Sequence, residues 1–264
     1  MLSIAGSDSG GGAGIQADLK AFAACGVHGM TAITALTAQN TVEVTAVESV
    51  SPEMIVAQVA AVADDIGVDA VKIGMLGTVG TIEAVGAALD LLPPGTPVVL
   101  DPVMVSESGA ELLEAGARGA LMELLLPRVT VITPNLPEAR ALVAAAPGGP
   151  GPADSEDVGA LARALKALGP EVVVVTGGHR EQAIDVFFDG SQLEELSGER
   201  YPGGAAHGSG CTHSSVLAAR LAWGDAPLEA ARVAKRMASL AVRDGLRGVG
   251  AGAGPVNVLG ALMQ

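Results

Sequence analysis

Aromatic residues are scarce in this chain of 264 residues: they make up only 2%, so the core must be aliphatic. Such a composition disfavours the base-stacking surfaces that bind single-stranded nucleic acid. Two cysteines, Cys25 and Cys211, are too few for a disulfide framework. No apolar run reaches the ~18 residues of a membrane span, and the first residues lack the pattern of a signal peptide. We therefore expect a cytoplasmic protein without a membrane partner.

Basic residues are also few: 15 lysine and arginine residues stand against 29 aspartate and glutamate residues, for a net charge of −14. An acidic surface repels nucleic acid and anionic membranes, so neither is expected as a partner. An anionic substrate would therefore need a local binding device. The apolar fraction of 49% and the mean hydropathy of +0.45 exclude a disordered chain. The length predicts one domain over residues 1–264.

Several common catalytic motifs are missing from the sequence. The chain has no G-x-x-x-x-G-K-[ST] phosphate loop, no G-x-S-x-G nucleophile elbow and no H-E-x-x-H zinc motif. P-loop phosphate chemistry, α/β-hydrolase chemistry and zincin chemistry are therefore not expected.

Short apolar runs alternate with helical patterns, and the runs are nearly continuous, as in parallel strands covered on both faces. This alternation predicts an α/β fold with a doubly wound, mostly parallel central sheet and helices on both faces. Asp189-Gly190 predicts a small antiparallel hairpin late in the sheet, between Ile184–Phe188 and Leu193–Leu196. A surface loop is expected over Pro147–Asp154. The predicted parallel strands are Leu2–Ala5, Thr31–Leu36, Ala70–Ile73, Val98–Leu100, Val129–Ile132 and Val172–Val175.

A glycine-rich segment follows the first strand, from Gly6 to Gly14, and leads into a helix. Ligands bind at the carboxyl ends of the strands in doubly wound sheets, so this segment predicts a backbone cradle for a small ligand. Gly12-x-Gly14-x-x-Ala17 also matches the dinucleotide fingerprint of oxidoreductases, but glycine tracts produce that match easily. A plain flexible turn is the third interpretation left open.

Two polar side chains near this segment are candidate ligand contacts. Asp18 lies one turn into the following helix, where the helix dipole by itself favours a carboxylate. Gln39 ends the second strand run and offers a donor and an acceptor side by side, which suits a ring nitrogen beside an amino group. An ordinary polar residue at a strand end is the alternative for Gln39.

Carboxylates follow two further strands. Asp101 comes directly after Val98–Leu100, and Glu138 lies shortly after the next run. Two carboxylates at adjacent strand ends can hold Mg²⁺, which prefers oxygen ligands and keeps several waters. Asn135 lies between them in sequence and has a plainer interpretation as the cap of the helix that begins at Leu136.

The strongest motif is the segment His207–Ser215, in which Gly208, Ser209 and Gly210 open a helix. Glycines just before a helix leave backbone amides free to bind an anion, which is the local device that an acidic chain needs. Cys211 lies in the first turn, where the helix dipole lowers a thiol pKa. A thiolate there would take a proton from an alcohol.

Two other interpretations of this motif stay open. Cys211 would be an inert buried thiol if it only fills space. His207, Cys211 and His213 would form a zinc site if a fourth ligand were present, but the sequence shows no paired C-x-x-C.

Taken together, these motifs resemble the hydroxymethylpyrimidine/phosphomethylpyrimidine kinases of thiamine biosynthesis, over nearly the whole chain. The resemblance implies a ribokinase-like fold and a homodimer. It also implies Mg²⁺-dependent transfer of a phosphoryl group from ATP to 4-amino-5-hydroxymethyl-2-methylpyrimidine, and then to its monophosphate. A pyridoxal/pyridoxine kinase on the same fold is the alternative, and a ligand-binding module without catalysis is a further one. The matching segments are Ile4–Lys20, Thr34–Asn40, Lys72–Leu76, Asp101–Met104, Thr133–Ala139 and Gly208–Thr212.

The resemblance also implies roles for individual residues. Cys211 would replace the aspartate base of related sugar and pyridoxal kinases, and residues 208–211 would form the anion hole. Residues 103–109 would form a mobile flap over the substrate. The pyrimidine site would be lined by Gly6, Asp18, Gln39 and Met75. The Mg-ATP site would be organised by Asp101, Asn135, Glu138, Thr176 and Gly178, with Asp101 and Glu138 toward the metal.

One departure from the family pattern concerns a phosphate contact. Thr176-Gly177-Gly178-His179 stands where many relatives have Lys-Gly-Gly-His. Without a lysine at this position, one contact to a phosphate is unassigned. Arg180 and Lys235 are the candidate replacements.

Overall fold

The computed structural model describes residues 1–114, 116–146, 156–177, 183–201 and 203–260. Its strands are β1 (Leu2–Ala5), β2 (Met30–Ile33), β3 (Ala35–Gln39), β4 (Val44–Ser49), β5 (Val71–Ile73), β6 (Val98–Leu100), β7 (Val131–Ile132), β8 (Val172–Val175), β9 (Ala183–Phe188) and β10 (Leu193–Gly198). Its helices are α1 (Gly14–Ala24), α2 (Pro52–Asp65), α3 (Val79–Leu89), α4 (Ala117–Ala120), α5 (Leu136–Ala145), α6 (Val158–Lys166), α7 (Ser209–Ala222) and α8 (Pro227–Arg243). A π turn over Leu121–Leu125 and a 3₁₀ turn over Leu126–Arg128 extend α4.

The central sheet has eight strands in the order β10-β9-β8-β7-β6-β5-β1-β2. The strands from β8 to β2 pair in parallel, whereas β9 and β10 are antiparallel. The predicted doubly wound, mostly parallel sheet is therefore confirmed. The late hairpin is also confirmed, since Phe188 pairs with Leu193 across the Asp189-Gly190 turn.

Helices cover both faces of this sheet, and each face has its own aliphatic core. Strand β8 shows why its sequence is a continuous valine run: Val173 and Val175 pack on the face of α2, α3, α5 and α6. Val172 and Val174 pack on the opposite face, with α1, α7 and α8. Successive side chains of a strand point to opposite faces, so a strand covered on both sides needs apolar residues throughout.

The run Thr31–Leu36 is not one strand, and here the prediction was wrong. Strand β2 ends at Ile33, and β3 begins at Ala35 as part of a separate two-stranded antiparallel sheet with β4. Thr34 lies between them, and its hydroxyl donates to the Met75 carbonyl oxygen at 2.7 Å. The sheet β3–β4 places Gln39 at the cavity described below. The predicted loop Pro147–Asp154 lies outside the described residues.

Candidate active site

A cavity of about 420 Å³ opens at the carboxyl ends of the parallel strands. This volume lies within the range of ~300–1,000 Å³ that is typical of small-molecule sites. Asp18 is not on the cavity wall, and Gly178 lies outside the described residues. The wall brings together the other predicted site residues, which are Gly6, Gln39, Met75, Asp101, Asn135, Glu138, Thr176, Gly208, Ser209, Gly210 and Cys211.

Asp8 organises the glycine-rich segment, a role that the sequence analysis missed. Its carboxylate accepts hydrogen bonds from the backbone amides of Gly10, Gly12 and Ala13, at 2.8 to 2.9 Å. His207 Nε2 lies 2.9 Å from the same carboxylate. Burial opposes ionisation, but these partners hold the pKa of Asp8 below its usual value. An aspartate followed by glycines is the signature of an Asx turn and would have revealed this role.

Three glycines let this segment pass close to the start of α7. A Cβ on Gly208, whose φ is +83°, would lie 1.7 Å from the Gly12 carbonyl oxygen. A Cβ on Gly12 would lie 2.1 Å from the His207 ring, and one on Gly14 would lie 2.4 Å from the Gly6 carbonyl oxygen. No side chain fits at these positions, so the glycine-rich segment is a packed cradle and not a loose turn.

The first turn of α7 lies on the cavity wall. Gly208 is the N-cap in the left-handed conformation, and Ser209, Gly210 and Cys211 follow it as the first helical residues. The first turn of an α-helix has amides without intrahelical acceptors, and the helix dipole adds partial positive charge there. This part of the wall therefore suits an anion, as the sequence predicted.

Burial is the largest influence on the protonation state of Cys211. Part of this residue is accessible at the cavity wall. Its thiol nevertheless lies deep in the fold, and burial raises the pKa of Cys211 to about 12, against the attraction of Lys72 and with support from the charges of Asp101 and Asp18. Desolvation therefore opposes the lowering of this pKa that is expected from the helix dipole.

Asp18 lies behind the cavity wall, which corrects its expected place in the pyrimidine site. It is fully buried and forms an ion pair with Lys72 at 2.8 Å. The hydroxyl groups of Ser3 and Ser215 also donate to it, at 2.6 and 2.8 Å. Burial by itself would lower the pKa of Lys72, but Asp18 and its neighbours raise it, so the lysine carries its charge to the wall.

Asp101 and Glu138 follow the neighbouring strands β6 and β7, as predicted. Ser214 Oγ donates to Asp101 at 3.1 Å. Glu138 accepts from the amide of Asn135 at 2.9 Å, and Asn135 Oδ1 accepts from the amide of Glu138 in return. The plainer interpretation of Asn135 as a helix cap is therefore confirmed as part of its role.

The electrostatics of these two carboxylates fit a divalent cation. Burial, followed by the nearby charge of Asp101, raises the pKa of Glu138 to about 8. Burial also raises the pKa of Asp101, although Lys72 and Ser214 oppose it. Both carboxylates are buried, and the charge of Asp101 disfavours ionisation of Glu138, so a bound cation would favour the charged form of each. Two hard oxygen groups agree with Mg²⁺, which takes the rest of its ligands from water and phosphate.

Gly6 and Met75 follow the adjacent strands β1 and β5, and Gln39 bonds to Ser9 after β1, so all three line the cavity on this side of the sheet. Ser9 fixes the backbone of Gln39, because its O–H donates to the Gln39 carbonyl oxygen and its hydroxyl oxygen accepts from the Gln39 amide. A Cβ on Gly6 would lie 3.1 Å from Met75 Sδ, so the absence of a side chain on Gly6 makes room for the methionine. This end combines an amide side chain with apolar contacts, which suits a small polar ring.

The segment 103–109 covers part of the same end. The amide of Ser106 donates to the carbonyl oxygen of Ala110 at 2.8 Å, and Val105 pairs with Glu111 in a short antiparallel bridge. Val103, Val105 and Ser106 contribute to the cavity wall. The segment is thus a folded turn over the cavity, and its motion as a flap stays a prediction.

The other end of the cavity lies between Thr176, Asp185 and the helix α8. Thr176 follows β8, and its amide donates to the carbonyl oxygen of Pro134 at 2.8 Å. Lys235, one of the candidate replacements for the family's lysine, lies on this wall. The other candidate, Arg180, lies outside the described residues.

His207 and His213 face different partners. His207 pairs with Asp8, whereas His213 Nε2 lies 3.4 Å from Asp185 Oδ2. Within the described ranges, no group of three or more histidine, cysteine, aspartate or glutamate residues has an arrangement suited to a metal. The structure therefore gives no support to the zinc interpretation with Cys211.

Sequence comparison decides the family. The sequence model described as phosphomethylpyrimidine kinase matches residues 8–257 of the chain. The chain belongs to the phosphomethylpyrimidine kinase family. A hydroxymethylpyrimidine/phosphomethylpyrimidine kinase of Rhizobium meliloti is 48% identical over 260 residues, which are 97% of this chain and 95% of that protein. The thiamine biosynthesis bifunctional protein ThiED of Geobacter sulfurreducens is 43% identical over 97% of this chain and 51% of its own length.

This phosphomethylpyrimidine kinase family member also has close structural neighbours. An ADP complex of Bacillus subtilis pyridoxal kinase matches with a TM-score of 0.86 and 40% identity, over 99% of this chain and 97% of that one. Both the ribokinase-like fold and the resemblance stated from the motifs are confirmed. Every helix in the described part of the chain is too short or too polar to cross a membrane.

Proposed function

We propose that this enzyme uses ATP to phosphorylate the hydroxymethyl group of 4-amino-5-hydroxymethyl-2-methylpyrimidine, and then phosphorylates the monophosphate to the diphosphate, in thiamine biosynthesis. The observation that carries this proposal is the position of the α7 N-terminus. Its first turn lies beside Asp101, after the central strand β6. Gly6 and Met75 follow β1 and β5 on one side of this strand, and Thr176 follows β8 on the other side, toward α8. An acceptor and a phosphoryl donor placed at the two ends would meet at these amides.

Orientation of the pyrimidine is the first task of the site. Gln39 presents an amide that can both donate to a ring nitrogen and accept from the neighbouring amino group. Met75 and Gly6 supply a close apolar surface beside it. Bound in this way, the ring would direct its hydroxymethyl group toward Cys211.

Charge stabilisation is the second task, because phosphoryl transfer depends more on positioning and electrostatics than on covalent chemistry. The amides of Ser209, Gly210 and Cys211 would donate to the migrating phosphoryl group. Asp101 and Glu138 would hold Mg²⁺ directly or through water. When bound there, Mg²⁺ supplies positive charge that offsets the charge of the phosphate oxygens.

Proton removal from the hydroxymethyl group is assigned to Cys211, the third task. Burial keeps this thiol protonated at neutral pH. A base that works through a small ionised fraction gives a turnover that rises with pH. Neutralisation of Asp101 would enlarge that fraction, because the charge of Asp101 raises the pKa of the thiol.

A coupled ATP assay tests the function directly. Hydroxymethylpyrimidine and pyridoxal are offered side by side, with ATP hydrolysis in the absence of acceptor as the background, and the products are resolved by mass. A pyrimidine diphosphate is the expected product. Pyridoxal phosphate alone would replace the proposed substrate by the one named for the structural neighbour, and no phosphorylated product at all would refute kinase activity.

We also propose that the whole chain works as one domain in the cytoplasm, where ATP is supplied, and pairs into a homodimer. Sedimentation equilibrium tests the homodimer: a mass near twice 26.1 kDa is expected, and a concentration-independent monomer would refute it. Limited proteolysis tests the single domain, since two stable fragments would contradict it.

A further inference from the structure

One face of α8 forms a wall of the cavity. Lys235, Ala238, Ser239 and Val242 all line it, at the spacing i, i+3, i+4 and i+7 of a single helical face. Lysine is rare in this chain and is seldom buried in proteins unless it is paired. Lys235 is only 8% exposed, so its place on this wall requires a partner and suggests a purpose.

Asp185 on β9 is that partner. Lys235 Nζ lies 2.6 Å from Asp185 Oδ1, and the amide of Gly177 donates to the same oxygen at 2.8 Å. Because both groups bind one oxygen atom, the ammonium lies beside the Gly177 amide, immediately after Thr176. Burial opposes ionisation of Asp185, but the His213 ring and Lys235 hold its pKa below the usual value. The carboxylate therefore stays charged and fixes the lysine in place.

Gly198, at the end of β10, makes this arrangement sterically feasible. A Cβ at this position would lie 2.6 Å from Lys235 Cε and 3.1 Å from Ser239 Oγ. The lysine chain thus crosses the strand at the one residue of β10 that has no side chain to obstruct it. A buried lysine, a buried carboxylate and a glycine on three different elements together place one ammonium on the cavity wall.

The ammonium has hydrogen-bonding capacity left for a ligand. Lysine has three N–H donors, and in the described part of the chain one of them is used by Asp185. The His213 ring lines the cavity next to this pair, and its Nε2 lies 3.4 Å from Asp185 Oδ2. The free N–H donors of Lys235, beside the His213 ring and away from Gln39, favour an anionic group of the phosphoryl donor.

We propose that Lys235, positioned by Asp185, binds a phosphate of the nucleotide and so makes the site selective for phosphorylated nucleotides over nucleosides. This inference rests on the proposed function, since it takes the α8 end of the cavity as the nucleotide end. A residue from a different element thereby supplies the phosphate contact that the uncharged side chain of Thr176 does not provide.

Calorimetric titration with adenosine, ADP and a non-hydrolysable ATP analogue tests the proposal. Lys235→Gln is expected to weaken ADP and the ATP analogue at least tenfold, while adenosine binds within twofold of the unmodified enzyme. Arg236→Gln is the matched control, because Arg236 is the next residue of α8 and is exposed. It removes the same charge, and we expect changes below twofold for all three ligands. Equal weakening of adenosine and ADP, or none, would overturn the proposal.

Gly198→Ala provides a second variant in case Lys235→Gln fails to fold. It keeps the lysine but displaces its side chain, so it should also weaken ADP more than adenosine. Lys235→Arg keeps the positive charge and should recover most of the ADP affinity, whereas a purely structural role for the ion pair would weaken adenosine as much as ADP. The experiment separates the two proposals. If the unmodified enzyme binds no nucleotide, the proposed function is contradicted. If both folded variants bind ADP normally, only the role of Lys235 is contradicted.

Discussion

The protonation state of Cys211 can be measured through its reactivity. Only the thiolate attacks a disulfide reagent. With a pKa of about 12, about 10⁻⁴ of the thiol is ionised at pH 8, against roughly one quarter for an ordinary cysteine. The higher pKa also makes the thiolate more nucleophilic, which recovers about half of that difference on a logarithmic scale. We therefore expect Cys211 to react roughly 30- to 100-fold more slowly than a model thiol at pH 8.

A Cys25→Ser variant makes this measurement specific to Cys211, because the chain has only two cysteines. Reaction with a small neutral disulfide is followed by absorbance from pH 7 to pH 10.5. The rate constant should rise about tenfold per pH unit over the whole range, since the pKa lies above it. Asp101→Asn should speed the reaction at each pH, because the charge of Asp101 contributes to the raised pKa.

A rate constant that reaches a plateau below pH 8 would refute this reasoning. It would mean that the helix dipole and Lys72 outweigh desolvation, and that the thiol is ionised at rest. Turnover gives an independent reading of the same question. If Cys211 is the base, Cys211→Ala lowers kcat about 10²-fold or more and removes its rise with pH, while the KM for ATP changes little.

Three further predictions concern neighbouring groups. Lys72→Met should lower the free energy of unfolding in urea by about 3–5 kcal/mol, because it leaves Asp18 buried without its cation, and a second change, Asp18→Asn, should recover part of that loss. The raised pKa of Glu138 stabilises the metal-free fold at low pH. That stability is lost as pH rises from about 4.5 toward 8, so Glu138→Gln should flatten the pH dependence of urea unfolding. Gln39→Ala should raise the KM for the pyrimidine by a factor that corresponds to ~1–3 kcal/mol, measured by steady-state kinetics. A KM within twofold would place the ring elsewhere.

Much of the fold was predictable because parallel strands with two covered faces leave a plain signal. Val172–Val175 could be assigned from sequence because both sets of alternating residues are buried. Gly208 could be assigned to a helix start because the helical pattern follows it directly, and it is the N-cap of α7. Both assignments depend on neighbouring residues in the chain, so the sequence alone was enough to make them.

The small sheet β3–β4 was not predicted because it carries apolar residues at positions that are exposed in the structure. Leu36 is 51% exposed, so an apolar residue stands where a half-covered strand would carry a polar one. The run therefore looked continuous with β2. At the break, Thr34 bonds to Met75, 41 residues away, and no local pattern contains that contact.

The states of Cys211 and Asp18 could not be predicted for a different reason. Sequence places both near the start of a helix, where the dipole favours negative charge. Which effect dominates depends on how much of the surrounding fold covers each group. For Cys211, burial dominates, whereas Asp18 is covered completely but has Lys72 and two serine hydroxyls as partners. Burial and long-range pairing follow only from the tertiary structure.

The pairing of lysines with carboxylates explains how a chain with a net charge of −14 can offer positive groups to an anion. A buried lysine without a partner tends to lose its proton, and the positive charge disappears with it. Asp18 prevents this for Lys72. Asp185 forms a second ion pair, with Lys235, at the α8 end of the cavity. Each pair is close to neutral as a unit, so it adds little to the global field. The positive end of each pair nevertheless faces the cavity wall, so the attraction for phosphate is confined to the site.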